Sequence, residues 1–329
     1  MKLTKRSLPV WKKNEPLSKY SYIKLGGPAD FFTVVKSADE LAGTMIDAEE
    51  AGVPWFILGG GSNILVGDLG FRGLVIKNEA DKIATPLGKL GARNDGYTIL
   101  TAESGVLMSK LAAFANQKGL AGLEIFMSVP GTLGGAIFNN SHFRPSENEF
   151  IGNLVEEAEI LEGRRKKEEG GRRGEGLEGI GGRKTVTRDW FRFGYDYSRL
   201  QEEKAVVLRV KFKLQKGDPE ELRAKSLELL KQRNSYQPIG SLSCGCMWRN
   251  PKEAPAGKLI DEAGMKAAKA GGISVSQSHA NFMVNDGTGK VGDVLELMAR
   301  VKKQVKEKFG IELEPEIFMV GEFSKCLNL

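Results

Sequence analysis

The chain is poor in the residues that build disulfide frameworks, metal centres and histidine-based catalytic sites. Its 329 residues include three cysteines and two histidines, His142 and His279. Cys244 and Cys246 are too close in sequence for an ordinary disulfide, and Cys326 is isolated. A Cys-x-Cys pair without other ligands at metal-binding spacing is weak evidence for a metal site. We therefore expect no metal, and a Ser-His-Asp triad is disfavoured as well.

Long apolar runs are also missing. No stretch approaches the roughly 20 apolar residues that a membrane-spanning helix needs. Met1–Arg6 is basic, but Trp11–Glu15 stands where a signal peptide would have its apolar stretch. With 41% hydrophobic residues, the composition is that of a globular chain. We expect a cytoplasmic protein of two or three domains that does not associate with membranes.

Most of the net charge lies in one glycine-rich segment, residues 163–184. It holds eight basic and four acidic side chains, a net +4 of the chain's +6, and eight of its 22 residues are glycine. This composition favours a flexible, solvated surface insertion. Arg/Gly segments can bind nucleic acid, but no aromatic residue is interleaved here, so we expect none to bind. Gly174–Gly179 is a formal GxGxxG motif, which we attribute to chance because it follows no predicted strand and opens no apolar helix.

Helix and strand signals alternate along the chain and predict an α+β protein. A capping box at Ser37–Glu40 begins one helix, and Asp218–Glu221 begins another with a cap and an early proline. A third helix is predicted at about 291–308, ending at Gly310. Short apolar runs predict strands, among them 54–57, 71–76, 99–103 and 205–210. The predicted domains are residues 1–80, residues 81–214 with the insertion at 163–184, and residues 215–329.

Two glycine-rich stretches are candidate anion-binding loops. The first contains Gly59, Gly60, Gly61, Ser62 and Asn63, directly after a predicted strand. The second contains Pro130, Gly131, Thr132, Gly134 and Gly135. Glycine lets a ligand approach the backbone and can adopt positive φ, so that successive N–H groups turn toward an anion. Two such loops predict a long, doubly anionic cofactor held at its pyrophosphate.

These loops belong to a longer ordered set of motifs. The other members are Lys24–Asp30, Gly245–Pro251, Ala256–Gly264, Ser278–Phe282 and Leu313–Ile317. Together they cover nearly the whole chain and resemble the UDP-N-acetylenolpyruvoylglucosamine reductases, the MurB family of bacterial cell-wall synthesis. The short run between Ser198 and Asp218 is similar to the second, shorter type of that family.

The resemblance implies a fold, two cofactors and a substrate. The fold would be a two-part FAD-binding domain of the PCMH/vanillyl-alcohol-oxidase type, followed by an α+β substrate domain. Both glycine loops would bind FAD, NADPH would be the reductant, and the small-molecule partner would be UDP-N-acetylglucosamine enolpyruvate. We expect a monomer.

The resemblance also implies roles for individual side chains. In the family, hydride reaches the enolpyruvyl methylene carbon through FAD, a serine protonates the adjacent carbon, and a glutamate and an arginine stabilise the intermediate. Cys246 stands at the serine position, where a thiol can also donate a proton, and Ser243 is the next candidate. Glu316 matches the glutamate; it would be protonated or act through a water, because an ionised carboxylate would repel an enolate. Asn250 and Lys258 match substrate-binding positions.

One position departs from the family pattern. The family has Gly-Tyr-Arg-x-Ser where this chain has Gly194-Tyr195-Asp196-Tyr197-Ser198, so a carboxylate replaces the cation. Arg192, Arg199 or Arg249 could supply the charge instead, and Tyr195 remains a substrate-binding candidate. His279 is as readily structural as a substrate contact, and Arg233 is interpreted as complementing a helix dipole.

Two alternatives remain open at this stage. One is a flavin oxidase of small alcohols or sugars on the same FAD-binding fold. The other is a flavin-binding relative without efficient catalysis, which Asp196 and Cys246 favour slightly.

Overall fold

The computed structural model describes residues 10–85, 96–167 and 173–324, so Cys326 and the middle of the charged insertion lie outside the described residues. The described chain forms two compact units. Unit 1 comprises the described parts of 1–12, 32–59 and 74–230, and unit 2 comprises 13–31, 60–73 and the described part of 231–329. Helices and strands are mixed along the chain, which confirms the predicted α+β class.

The regular elements are numbered here in chain order. The helices are α1 Ala38–Glu50, α2 Met108–Gln117, α3 Leu133–Asn139, α4 Pro219–Asn234, α5 Ala256–Glu262 and α6 Val291–Phe309. The strands are β1 Lys12–Pro16, β2 Pro28–Val35, β3 Trp55–Leu58, β4 Ile64–Val66, β5 Phe71–Asn78, β6 Ile83–Ala84, β7 Tyr97–Glu103, β8 Leu120–Ala121, β9 Val155–Lys167, β10 Arg173–Thr187, β11 Ala205–Lys216, β12 Lys269–Ala270, β13 Ile273–Val275, β14 Met283–Asn285 and β15 Phe318–Val320.

Local capping signals fix where the helices begin. Ser37 Oγ accepts the backbone N–H of Glu40 at 3.1 Å, while Glu40 reaches back to the N–H of Lys36 at 2.7 Å. Asp218 Oδ1 accepts the N–H groups of Glu220 and Glu221 at 2.9 and 3.0 Å, which caps α4. These side chains satisfy N–H groups that have no partner within the helix.

Parallel pairing of β3 and β5 places the first glycine loop. The two strands lie in a four-stranded sheet of order β1-β2-β5-β3, with Leu58 opposite Lys77. Because the strands run in the same direction, the residues that follow β3 lie beside the carboxyl end of β5. The first glycine loop therefore starts next to Lys77.

The larger sheet of unit 1 carries the charged insertion. Its order is β10-β9-β11-β7-β6. The described residues of 163–184 are paired strand, with Ile180 opposite Gly163 and Arg183 opposite Leu161. The composition predicted a loop-like insertion, but the ladder of β9 and β10 continues through it with several register irregularities. The chance GxGxxG motif lies within β10 and does not connect a strand to a helix.

Each unit has its own apolar core. In unit 1, helices α2 and α3 pack with the larger sheet around fully buried side chains such as Phe126, Phe191 and Phe212. In unit 2, one face of α6 packs with Trp248 and the small sheet β12-β13-β14. Helix α6 ends at Gly310, which has φ 71°, as the sequence predicts. None of the helices in the described residues is long and apolar enough to cross a bilayer.

Candidate functional site

Unit 1 brings the two glycine loops into contact. Gly59 follows β3, and a Cβ atom added to it would lie 2.5 Å from Oγ1 of Thr132. Thr132 is buried at the start of α3, and its hydroxyl forms no capping hydrogen bond to that helix. The close approach requires glycine at position 59. Its hydrogen atoms leave the Thr132 hydroxyl beside the loop.

The end of β7 anchors the second loop. The backbone N–H of Leu133 donates to Val106 O at 2.8 Å, and that of Gly134 donates to Ser104 O at 2.7 Å. Ser104 Oγ in turn accepts from Asn78 Nδ2 at 2.9 Å, so a buried side chain at the end of β5 supports the same turn. The loop is therefore held to two strands before α3 begins. Gly135 and Pro130 remain exposed on it.

In unit 2 the continuation of the first loop also requires glycine. Gly61 has φ 73°, and a Cβ there would overlap the backbone oxygen of Tyr20. The carbonyl of Gly61 accepts from Tyr22 N at 3.0 Å, and Asn63 O accepts from Phe318 N at 3.0 Å. Ser62 lies between these two anchored residues.

The backbone of both loops fits the pyrophosphate of FAD. Gly59 and Gly61 exclude any side chain, and Gly131 has φ 99°, a conformation that favours glycine. Close, side-chain-free backbone is what a pyrophosphate cradle requires. The residues that would hold the cofactor are Gly59–Asn63 and Pro130–Gly135.

Sequence analysis missed a cation beside the first loop. Lys77 Nζ donates a hydrogen bond to the carbonyl oxygen of Gly59. Its side chain is half-buried, and this burial lowers its pKa below the ordinary lysine value, against a weaker opposing effect of Glu79. The pairing of β3 with β5 is the signal that could have located it.

The departure at Asp196 forms a small cluster in unit 1 with a residue to which the sequence gave no role. Asp196 is buried and adopts φ 48°, and its Oδ1 lies 3.5 Å from Nδ1 of His142. The His142 ring stacks on Tyr195 at 5.1 Å between centroids and is tilted against Phe150 at 5.4 Å. The carboxylate thus faces an imidazole, and the same imidazole supports the half-exposed ring of Tyr195.

Two arginines nominated from the sequence have other contacts. Arg199 pairs with Glu203 at 3.1 Å and its guanidinium lies 4.9 Å from the ring centroid of Trp190. Arg192 adopts φ 48° after a short 3₁₀ turn and lines a shallow pocket. Neither contact points to a catalytic use.

In unit 2 the two cysteines have opposite environments. Cys244 is fully buried, donates to Sδ of Met247 at 3.6 Å, and has its pKa raised by burial to about 12. Cys246 is half-exposed. In regular extended chain these residues would share a face, but Gly245 between them has φ 87° and breaks the alternation. Ser243 is buried, and its Oγ accepts the N–H of Gly245 at 3.3 Å.

The two proposed catalytic residues belong to adjacent backbone segments of unit 2. Glu316 N–H donates to Met247 O at 2.9 Å, and Arg249 N–H donates to Glu314 O at 2.9 Å. Glu316 is therefore next to the residue that follows Cys246, and its side chain is half-buried. Sequence alone could not show this pairing, because about 70 residues separate the two segments.

A buried asparagine fixes the cysteine-bearing segment. Asn281 Oδ1 accepts the N–H of Trp248 at 2.9 Å, and its Nδ2 donates to the Trp248 carbonyl at 2.7 Å. Met247 N–H also donates to Asn281 O at 2.8 Å. Cys246 itself bridges to Phe282 through the backbone. The Ser278–Phe282 motif therefore holds the segment in place.

Arg233 and His279 lie near Cys246 in electrostatic terms. Burial lowers the pKa of Arg233, an effect that its attraction to Tyr236 and Cys246 opposes. Burial, with repulsion from Lys266 and Arg233, lowers the pKa of His279. His279 is thus neutral at pH 7, and its Nδ1 accepts the N–H of Asn281 at 3.3 Å. Its structural role is visible, whereas Arg233 offers a cation that the sequence analysis did not select.

The two predicted substrate residues of unit 2 are exposed. Asn250 Oδ1 accepts the N–H of Ala256 at 2.9 Å and so supports the start of α5. Lys258 is 65% exposed and forms a loose ion pair with Glu262 at 3.8 Å. Their substrate contacts stay predictions. Among the described residues, no group of three or more histidine, cysteine or acidic side chains is placed to hold a metal ion.

Comparison with protein-family profiles identifies both halves of the sequence. Residues 29–164 match an FAD binding domain, and residues 237–320 match the C-terminal domain of UDP-N-acetylenolpyruvoylglucosamine reductase. These matches confirm the predicted fold class and FAD.

Individual relatives agree along the whole chain. The UDP-N-acetylenolpyruvoylglucosamine reductase of Caldanaerobacter subterraneus subsp. tengcongensis is 37% identical, with 94% of this chain and 93% of the relative covered. That of Heliobacterium modesticaldum is 38% identical, with 95% and 91% covered. The crystal structure of the reductase (MurB) from Thermus caldophilus is similar with a TM-score of 0.70 and 28% identity, covering 94% of this chain and all of the other. This protein therefore belongs to the UDP-N-acetylenolpyruvoylglucosamine reductase (MurB) family.

Proposed function

We propose that this protein reduces the enolpyruvyl group of UDP-N-acetylglucosamine enolpyruvate to give UDP-N-acetylmuramate, with NADPH as reductant. The observation that carries the proposal is the pairing of the Cys246 and Glu316 segments within unit 2, in a chain whose family membership spans nearly its whole length. In this assignment residues 1–214 hold FAD and residues 215–329 take the UDP-sugar. FAD, when bound, accepts hydride from NADPH and supplies it to the methylene carbon of the substrate.

Cys246 is the proton donor in this proposal. Its Sγ–H protonates the carbon adjacent to the methylene carbon, and the sulfur is left as a thiolate. The half-exposed position of Cys246 allows a proton from water to restore the thiol. Cys244 cannot replace it, because its thiol is fully buried and its pKa is raised to about 12. The buried position of Ser243 argues against that hydroxyl as well.

Arg233 and Glu316 stabilise the charge that accompanies this proton transfer. The guanidinium of Arg233 attracts negative charge at Cys246, which favours the transient thiolate. Glu316, on the neighbouring segment, donates a proton or positions a water toward the enolate. Arg233 thereby takes over part of the task that an arginine at position 196 performs in the family. His142 and Asp196 act through the ring of Tyr195, which we assign to substrate contact together with Asn250 and Lys258.

Turnover with the enolpyruvyl sugar tests the proposal. The purified yellow protein is mixed with NADPH and UDP-N-acetylglucosamine enolpyruvate, with UDP-N-acetylglucosamine as the matched control. We expect NADPH oxidation only with the enolpyruvyl compound, and a product heavier by two hydrogen atoms in mass spectrometry. NADPH oxidation that needs oxygen but not the sugar would instead identify an oxidase. Slow flavin reduction without product would identify a binding protein.

The oligomeric state, the location and the absence of nucleic-acid binding are proposed on sequence grounds alone. We propose a cytoplasmic monomer that binds no nucleic acid. Light scattering after gel filtration measures the mass directly, and a dimer mass would overturn that part of the proposal.

A further inference from the structure

Lys77 is a half-buried cation beside the contact of the two glycine loops. It stands opposite Leu58 in the parallel pair of β3 and β5, one residue before Gly59. Its ammonium donates to the Gly59 carbonyl, and a Cβ on Gly59 would press on Thr132 Oγ1. Lys77, Gly59 and Thr132 therefore converge within unit 1.

The charge of Lys77 is not matched by a carboxylate. Among the described residues it forms no ion pair; Glu79, on the same strand, acts on it only at longer range. A charged group that is partly withdrawn from water loses solvation, and it regains stability when an anion binds beside it. Its one hydrogen bond uses one of the three ammonium hydrogens, so two remain for a ligand.

We propose that Lys77 supplies the positive charge that receives the pyrophosphate of FAD at the Gly59–Thr132 contact. The Gly59 carbonyl fixes the ammonium beside the loop, where backbone N–H groups alone would otherwise face the diphosphate. This role rests on the proposed use of FAD by the reductase. It makes Lys77 a cofactor-binding residue, and the isoalloxazine ring system takes no part in the contact.

A purely structural lysine would behave differently. If Lys77 served only to join the ends of β3 and β5, its loss would loosen the first glycine loop and weaken every flavin to a similar degree. If it recognises the diphosphate, its loss weakens FAD and ADP and spares riboflavin, which has no phosphate. Ligand chemistry therefore separates the two roles.

The experiment measures flavin affinity of the full-length protein after removal of FAD. Lys77→Met removes the charge and keeps an unbranched apolar side chain, and Lys77→Arg keeps the charge. Lys216→Met, at the exposed end of β11, is the matched control for loss of a lysine. FAD, ADP and riboflavin are titrated at low and high salt, and circular dichroism and the thermal midpoint check folding. If Lys77→Met does not fold, Lys77→Gln takes its place.

The expected result is a loss of FAD and ADP affinity of about 10-fold to 100-fold in Lys77→Met, the range for a lost charged hydrogen bond. The loss should shrink at high salt, and Lys77→Arg and Lys216→Met should bind within about threefold of the unaltered protein. Riboflavin affinity should not change. FAD affinity within twofold of the unaltered protein, or an equal loss for riboflavin, would overturn the proposal.

Two further titrations separate neighbouring explanations. The substrate also carries a diphosphate, so UDP is titrated into each holoprotein; a loss of UDP affinity with FAD affinity intact would assign Lys77 to the substrate instead. Turnover with the enolpyruvyl sugar is measured separately on the unaltered protein. A protein that fails this turnover but shows the Lys77 pattern would contradict the proposed function and leave the FAD contact standing.

Discussion

Gly59→Ala tests whether the two glycine loops of unit 1 touch as the structure shows. The added Cβ would lie 2.5 Å from Thr132 Oγ1, whereas ordinary contacts begin at 3.4 Å. Either the hydroxyl must rotate or the loops must separate by about 0.9 Å, the difference between those two distances. Both responses disturb the place where the pyrophosphate would bind.

The structure also gives the size of the effect and a way to remove it. Overpacking of this kind costs about 1–3 kcal/mol, which is roughly a 5-fold to 150-fold loss of FAD affinity if the loops are strained most in the bound state. In a Thr132→Ala background the nearest remaining atom would be Cβ of residue 132, at an ordinary 3.7 Å. There the same Gly59→Ala change should cost less than about 0.5 kcal/mol.

The assay is a double-mutant cycle on the FAD dissociation constant, followed by flavin fluorescence, with thermal unfolding of each apoprotein as a check. Gly43→Ala in α1 is the control, because a Cβ there meets nothing within 4 Å. It should leave FAD affinity unchanged and stabilise the helix by up to about 1 kcal/mol. Equal costs of Gly59→Ala in both backgrounds would refute the contact between the loops.

Three more predictions concern the catalytic thiol, the charged segment and His279. Cys246→Ala should slow flavin reoxidation by the enolpyruvyl sugar about 100-fold or more while sparing flavin reduction by NADPH, and Cys246→Ser should retain much of the activity; in stopped-flow traces, equal slowing of both half-reactions would rule out this donor. Replacing residues 164–182 with a short Gly/Ser turn should leave flavin content and turnover nearly unchanged, because the pairing of β9 and β10 closer to the sheet remains; a large loss of activity would assign the segment to the site. The lowered pKa of His279 means that the unfolded chain binds a proton more readily, so stability should fall as the pH drops below about 6.5; denaturant titrations of His279→Asn should lack this component, and an unchanged pH dependence would contradict it.

Local features of the fold could be predicted from the sequence. The caps at Ser37 and Asp218 lie within three residues of the N–H groups they satisfy, so their signals need no tertiary information. Gly310 likewise ends α6 where the apolar stripe ends. The glycine loops were visible for the same reason, since positive φ and close approach restrict a single position to one residue type.

Features that depend on distant pairing could not be predicted. The strands at 163–184 owe their form to the ladder with β9 and β11, although their glycine content disfavours strand. The opposite environments of Cys244 and Cys246 follow from the backbone at Gly245, which the sequence does not specify.

The same limit applies to the candidate site. Lys77 reached the loop through the β3–β5 pair, and Arg233 reached Cys246 through tertiary packing of unit 2. His142 had no sequence signal at all, because its partner Asp196 is itself the departure from the family pattern. In each case the type of residue was visible in the sequence, but its neighbour was not.

The most direct test of the account is an anaerobic single turnover of the unaltered protein. One equivalent of NADPH bleaches the bound flavin, and one equivalent of UDP-N-acetylglucosamine enolpyruvate is then added without oxygen. The account predicts full return of the yellow colour together with one equivalent of UDP-N-acetylmuramate. A flavin that stays bleached with the sugar and recovers only when oxygen is admitted would contradict it.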